Sequence, residues 1–268
     1  EDIAGQGIAF KLNSTSNGNV LFSSPDPGFF AGPQGLARVA LGQSSTFFFL
    51  IDTKVSFPTH TFTIDSVNPR GWTVAQASYT VVPAPPSQLA FLTPARKLIA
   101  GTTVQYQAGV TTSAAVTVEF RDPFDNVSPA DVPMEVKFNS TSSFTMFGGI
   151  DPTQPVTANN TLWKSIGAGH PPLSVNATVG TSSATFYFWE TVAGATTVQA
   201  VGLRNAVEFL PAFQSHTITP ALAAYLTVHH PFAGGTPLKV GNAGILTVKA
   251  LDTFGNVAAG DQHNGQYY

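Results

Sequence analysis

Val116, Val118 and Phe120 alternate with Thr117, Glu119 and Arg121. The same two-residue period runs through Met134, Val136 and Phe138, through Phe186 and Phe188, and through Leu246, Val248 and Ala250. Successive side chains on a strand point to opposite faces, so each set places apolar groups on one side of a half-buried antiparallel strand. Helices are disfavoured throughout. The 268 residues include 24 Gly and 20 Pro at short intervals, and no stretch of helical length carries a helical period. Many short strands separated by turn residues imply a sandwich or barrel, and the expected fold class is all-β.

The strand pattern repeats. Phe120–Val127 (Phe-Arg-Asp-Pro-Phe-Asp-Asn-Val) returns as Ala250–Val257 (Ala-Leu-Asp-Thr-Phe-Gly-Asn-Val). Lys11–Ser16 returns as Lys137–Ser142, Gly42–Ser45 as Gly180–Ser183, Ser78–Pro83 as Ser215–Pro220, and Leu89–Thr93 as Ala223–Thr227. The spacing runs from 126 residues (Lys11 to Lys137) to 138 (Gly42 to Gly180), with Asp122 to Asp252 at 130 and Pro83 to Pro220 at 137, and the repeat is about 130–137 residues long. Residues 84–220 form one complete repeat, residues 1–83 match its back part, and residues 221–268 match its front part. Half a sandwich exposes an apolar face and an unpaired strand edge. Two arrangements relieve this. The chain is a window on a longer covalent array, or the front part of one chain completes the back part of the next by strand complementation. A third arrangement, in which both end segments fold together within one chain, would need the complete repeat to bridge them.

Composition narrows the function classes. Charged residues are only 10% against 43% hydrophobic, so the polar surface is mainly Ser, Thr, Asn and Gln, as in many secreted and surface-layer proteins. A net charge of −3 gives no electrostatic footprint for nucleic acid or an anionic membrane. With no cysteine there is no disulfide, thiolate metal site or cysteine nucleophile. The longest strongly apolar run, Phe47–Ile51, is far too short for a membrane-spanning helix.

The Asp-x-x-x-Asn-Val segments after an alternating strand, the later Gly180–Phe186 stretch and the following Ala193–Ala200 resemble bacterial immunoglobulin-like repeats of the invasin and intimin type. Gln88–Phe91 followed by Ala100–Thr102 is similar to the starts of such repeats in very large bacterial surface proteins. The resemblance extends over nearly the whole chain and implies tandem immunoglobulin-like β-sandwich repeats in rod-like spacers, adhesins or surface filaments, without catalysis or cofactors. Gly148–Pro172 departs from the pattern and reads as a long loop.

Few residues suggest a chemical site. Asp122, Asp125 and Asp252 are weak calcium candidates, because clustered oxygen ligands suit that ion. Gly255 replaces Asp125 in the second copy, which favours a turn with positive φ over a ligand. His229 and His230 are adjacent, so on a strand they face opposite ways and do not chelate one ion together. No nucleophile elbow, phosphate loop or zincin helix is present, and nothing singles out any pair among the 15 acids for glycoside hydrolysis, so no catalytic residue is assigned. Possible glycosylation sites are Asn13, Asn126, Asn139, Asn159 and Asn176. Tyr187 and Trp189, opposite the core face of their strand, fit either burial under a neighbouring domain or a sugar-stacking platform. The function expected is that of an extracellular or cell-surface structural subunit or segment. Its partners would be copies of itself or adjoining repeats, and an adhesin or carbohydrate-binding module is the alternative.

Overall fold

The computed structural model describes residues 7–23, 35–67, 73–101, 104–107, 110–113, 115–148, 164–165, 174–229, 240–241 and 246–258. Among these residues there are strands and turns but no helix. The chain divides into two compact units, Glu1–Pro85 with Asp122–Ser128, and Pro86–Arg121 with Pro129–Tyr268. The boundary drawn from the repeats at 83/84 lies two residues from the first of these divisions, whereas residues on both sides of 220/221 belong to the second unit.

Unit 1 carries β1 (Ile8–Ser14), β2 (Leu21–Ser23), β3 (Gly35–Val39), β4 (Phe49–Ile51), β5 (His60–Ser66) and β6 (Ala75–Tyr79). One sheet has the order β3-β1-β5-β6, and β2 pairs β4 separately. Leu12, Val20, Phe22, Ala37 and Phe62 are buried between them, with Phe48 and Leu50 packed alongside.

Unit 2 continues with β7 (Gln88–Phe91), β8 (Lys97–Ile99), β9 (Val104–Gln107), β10 (Val110–Ser113), β11 (Val116–Arg121), β12 (Met134–Ser140), β13 (Met146–Gly148), β14 (Lys164–Ser165) and β15 (Ser174–Ala177). It ends with β16 (Ser183–Trp189), β17 (Gly194–Arg204), β18 (Val207–Glu208), β19 (Ala212–Thr219), β20 (Tyr225–His229) and β21 (Thr247–Leu251). One sheet has the order β14-β13-β16-β11-β7, and the other β10-β9-β8-β19-β17-β12-β15 with β18 beside β17. Lettering β7, β11, β12, β13, β16, β17 and β19 as A to G gives A-B-E-D facing C-F-G, the immunoglobulin constant-type arrangement. β15 is an addition beside C, and β8 pairs with G in parallel.

The alternation read in the sequence builds this sandwich. Val116, Val118 and Phe120 from B, Val136 and Phe138 from C, Phe186 and Phe188 from E, and Val198 and Ala200 from F are all fully buried in one core. Phe138 stacks on Phe186 with centroids 3.8 Å apart, joining the two sheets. Each such side chain removed from water contributes about 1.5–3 kcal/mol. Of the expected long loop, only Lys164–Ser165, a two-residue strand paired with β13, lies within the described residues beyond Gly148.

The same lettering fits unit 1. β1, β2, β4, β5 and β6 correspond to C, D, E, F and G, and the order β3-β1-β5-β6 matches β15-β12-β17-β19. Registers agree as well. Leu12 opposes Ile64 as Phe138 opposes Ala200, and Phe62 opposes Ala77 as Val198 opposes Gln214. Among the described residues unit 1 has no A or B strand. The hairpin β20–β21 is an A–B pair, with Leu226 opposite Ala250 as Leu89 is opposite Phe120, so the strand pairing puts Leu226, three residues beyond the Ala223 of the sequence match, in the place of Leu89.

Candidate functional site

Two features of the repeat bear on function: the loop after strand B, and the exposed faces of the A–B hairpin.

An Asp side chain short enough to reach its own backbone closes a turn by accepting the N–H groups that follow it. Asp122 does so. Its Oδ1 accepts the amides of Phe124 and Asn126, each at 2.9 Å, and its Oδ2 accepts Ala84 N–H at 3.1 Å and the Asn126 side-chain amide at 3.0 Å. Asn126 then reaches the loop after strand E. Its Nδ2 donates to Thr53 O at 2.8 Å, and its Oδ1 accepts Val55 N–H at 3.2 Å. All these residues belong to unit 1. Unit 2 holds the same clasp. Asp252 accepts Ala221 N–H, Phe254 N–H and Asn256 N–H, each at 2.9 Å, and the Asn256 side-chain amide at 2.8 Å. Asn256 Nδ2 donates to Thr191 O at 2.7 Å, and Ala193 N–H donates to Asn256 Oδ1 at 2.8 Å.

Both Asp side chains are buried. Burial pushes each carboxyl pKa up, and the donors from Asn126, Phe124 and Ala84, or from Asn256, Ala221 and Phe254, outweigh it and hold the group below the usual carboxylate range. The carboxylates are therefore saturated with N–H donors. Asp125 and Gly255 occupy the same left-handed turn position, φ 66° and 86°. Among the described residues no group of three or more His, Asp or Glu is placed to hold a metal.

The loops that receive the Asn amides carry a second repeated element, which the sequence comparison had passed over. Asp52 accepts Ser16 Oγ–H at 2.9 Å and Tyr79 O–H at 2.7 Å. Its counterpart Glu190, itself buried, accepts Thr145 Oγ1–H at 2.6 Å and the amides of Thr191 and Val192 at 2.8 and 2.9 Å. The aligned pairs Asp52-Thr53 and Glu190-Thr191 were the available signal. The acceptors that matter to the clasp are backbone carbonyls, which leave no mark on sequence.

The hairpin differs from its counterpart in what covers it. Val116 and Val118 of strand B are fully buried, whereas their equivalents Leu246 and Val248 are 62% and 58% exposed. Leu89 of strand A is 8% exposed and its equivalent Leu226 69%. The alternation of Leu246, Val248 and Ala250 marks a core face, but among the described residues no second sheet lies over it.

The remaining candidates scatter. Asn13 is half-buried on β1, and Asn139 and Asn176 are exposed on β12 and β15. The Asn126 amide is buried and engaged in the clasp, so a glycan there would replace its bonds to Thr53 and Asp122. Asn159, His230 and the side chain of His229 lie outside the described residues. Trp189 meets the Phe254 ring edge-on at 6.2 Å, within unit 2, and Tyr187 is half-buried.

No family model matches the chain, and no curated protein matches it. Among solved structures it is similar to domains 4 and 5 of the S-layer protein SbsC, at 11% identity over 75% of this chain and 76% of that one, with a TM-score of 0.29. It is similar to a glycosyl hydrolase family 2 member from Bacteroides cellulosilyticus, at 13% identity and TM-score 0.32, covering 82% of this chain and 24% of that one. A segment of two fibronectin type III domains from chicken tenascin gives 11% identity, 80% and 86% coverage and a TM-score of 0.22.

Proposed function

We propose that this chain is a non-catalytic structural subunit or segment of an extracellular filament or cell-surface array, assembled head to tail through a split immunoglobulin-like repeat. The observation that carries this reading is the hairpin β20–β21. It has the pairing of an A–B hairpin, and it exposes the face that the complete repeat buries. Unit 1 supplies strands C to G and, among the described residues, neither A nor B. Joining the two halves would pair an open edge and cover an apolar face, the energetic basis of strand addition between β domains. The Asp–Asn clasps suit such an array, because each ties the loop after strand B to residues of the preceding repeat by neutral and charge-assisted hydrogen bonds that need no metal.

Electron microscopy of the native material, paired with the mass of its dissociated chain, tests this. Regular filaments or sheets that dissociate, without covalent cleavage, to chains ending in half repeats are expected. Dispersed monomers in the native material would overturn the assembly reading. A far longer covalent chain would replace head-to-tail association with a continuous array of the same repeats.

A further inference from the structure

β8 of the complete repeat, Lys97-Leu98-Ile99, leads into Ala100-Gly101, and the sequence of the next repeat's front part carries Pro237-Leu238-Lys239-Val240-Gly241 at the matching place. Gly101 has φ +75°, and its N–H donates to Glu190 O at 2.8 Å. A Cβ on Gly101 would lie 2.1 Å from Cζ of Phe254, the aromatic residue of the Asp252–Asn256 clasp. The ring of Phe254 thus rests on a bare backbone, walled by Trp189. Only glycine serves there, on two counts: the left-handed backbone and the space taken by the ring.

Gly241 has the same backbone, φ +84°, but among the described residues nothing lies within 4 Å of where its Cβ would be. Val240 is fully exposed, while its equivalent Ala100 is buried. Phe124, the aromatic residue of the first clasp, is 56% exposed. By the repeat alignment, Ile51 and Asp52 hold the positions of Trp189 and Glu190. Among the described residues the chain therefore carries an unfilled glycine seat and an exposed ring, each the counterpart of a filled partner in the complete repeat.

We propose that Gly241 of one copy of this chain seats the Phe124 ring of a second copy, with β21 of the first added to the segment 45–48 of the second. This rests on the head-to-tail reading above and names its partner and register. In the complete repeat Val116 opposes Phe186, Thr117 opposes Thr185 and Glu119 opposes Ser183. Carried over, Leu246 opposes Phe48, Thr247 opposes Phe47 and Lys249 opposes Ser45. Residues 45–48 lie in no ladder among the described residues, and Phe47 is exposed. The strand continues into β4, so an added strand extends the β2–β4 sheet on its open side.

The chain has no cysteine, so engineered thiols report this contact without background. The template hydroxyls of Thr117 and Thr185 hydrogen-bond at 3.0 Å, so the two side chains of this directly opposed pair face one another on the same side of the sheet. A Thr247→Cys chain mixed with a Phe47→Cys chain under mild oxidation is expected to give a covalent dimer. The yield should be about tenfold above that of Thr247→Cys with the register-shifted Ser45→Cys, since two residues of slip separates the Cβ atoms. Gly241→Ala is expected to raise the concentration needed for assembly about tenfold, from ring clash added to backbone strain. Phe124→Ala in the same chain should recover most of that loss. Gly180→Ala, at φ +88° in open space, controls for backbone strain alone. Filaments that form with equal crosslinking in both registers, or with no effect of Gly241→Ala, would overturn the seat and register and leave the head-to-tail reading standing. A folded chain that stays monomeric at every concentration would overturn both and assign the site to covalently flanking strands.

Discussion

Asp252 shows how much one side chain holds in this repeat. It is buried and closes the backbone amides of Ala221, Phe254 and Asn256, so Asp252→Ala leaves three N–H groups without their acceptor. The expected loss is about 3 kcal/mol in urea unfolding, with Asp252→Asn losing roughly half as much because one oxygen remains. The Asp-x-x-x-Asn spacing was legible in the sequence because it recurs, and its turn chemistry followed from the Gly at the fourth position of the second copy. Thr53 and Thr191 were not legible as partners, since any residue offers a carbonyl. His216 was equally silent. It is buried against Phe188, its Nδ1 accepts Arg96 N–H at 3.0 Å, and its Nε2 has no partner among the described residues. Burial, with the positive charge of Arg96, depresses its pKa to about 4. An unfolded His takes up a proton near pH 6.5 while the folded one stays neutral, so stability falls as pH drops from about 6.5 to about 4 and then levels off for this group. The loss is on the order of 3 kcal/mol, and His216→Leu should flatten that part of a stability-versus-pH curve. Asp122 and Asp252, with folded pKa values held below the ordinary, contribute stability above the carboxylate range that is lost at lower pH than the His216 window.

At the scale of strands, the period of two predicted which residues face a core but not whether the covering sheet is present. Val118 and Val248 have the same pattern around them in sequence. One is fully buried, the other 58% exposed, because strand B of the complete repeat lies over C and F whereas, among the described residues, β21 forms a sheet with β20 alone. The two valines should therefore respond oppositely to a charge. Val118→Lys buries an unpaired ammonium and is expected to unfold unit 2, costing more than about 4 kcal/mol. Val248→Lys should leave thermal unfolding within about 0.5 kcal/mol of the parent, yet abolish assembly in sedimentation velocity. A Val248→Lys chain that assembles normally would show that this face is not a contact. The added strand β15, and β8 running parallel to β19, had no sequence signal either: both are short, and their pairing is decided by sheets formed from distant residues.

At the scale of the molecule, the shortage of charge sets how assembly responds to solution conditions. With only 10% charged residues and apolar side chains on the exposed hairpin face, association is expected to rest on burial and strand pairing. Raising NaCl from about 0.05 to 1 M, which shortens the Debye length to about 3 Å, should leave the assembly concentration unchanged or lower it. Because the clasp carboxylates are filled by N–H donors, chelation with EDTA should shift the melting temperature by less than about 1 °C, a change worth only tenths of a kcal/mol. The parallel pairing of β8 with β19 has a mechanical side. Thr217, Ile218 and Thr219 lie against Lys97, Leu98 and Ile99, near the entry and exit of one repeat. A chain pulled from both ends draws two such strands past one another, so their hydrogen bonds bear the load together instead of opening one at a time. The complete repeat is thereby built to hold under tension along the chain, and the same few residues that close its sandwich would set the force at which it gives way.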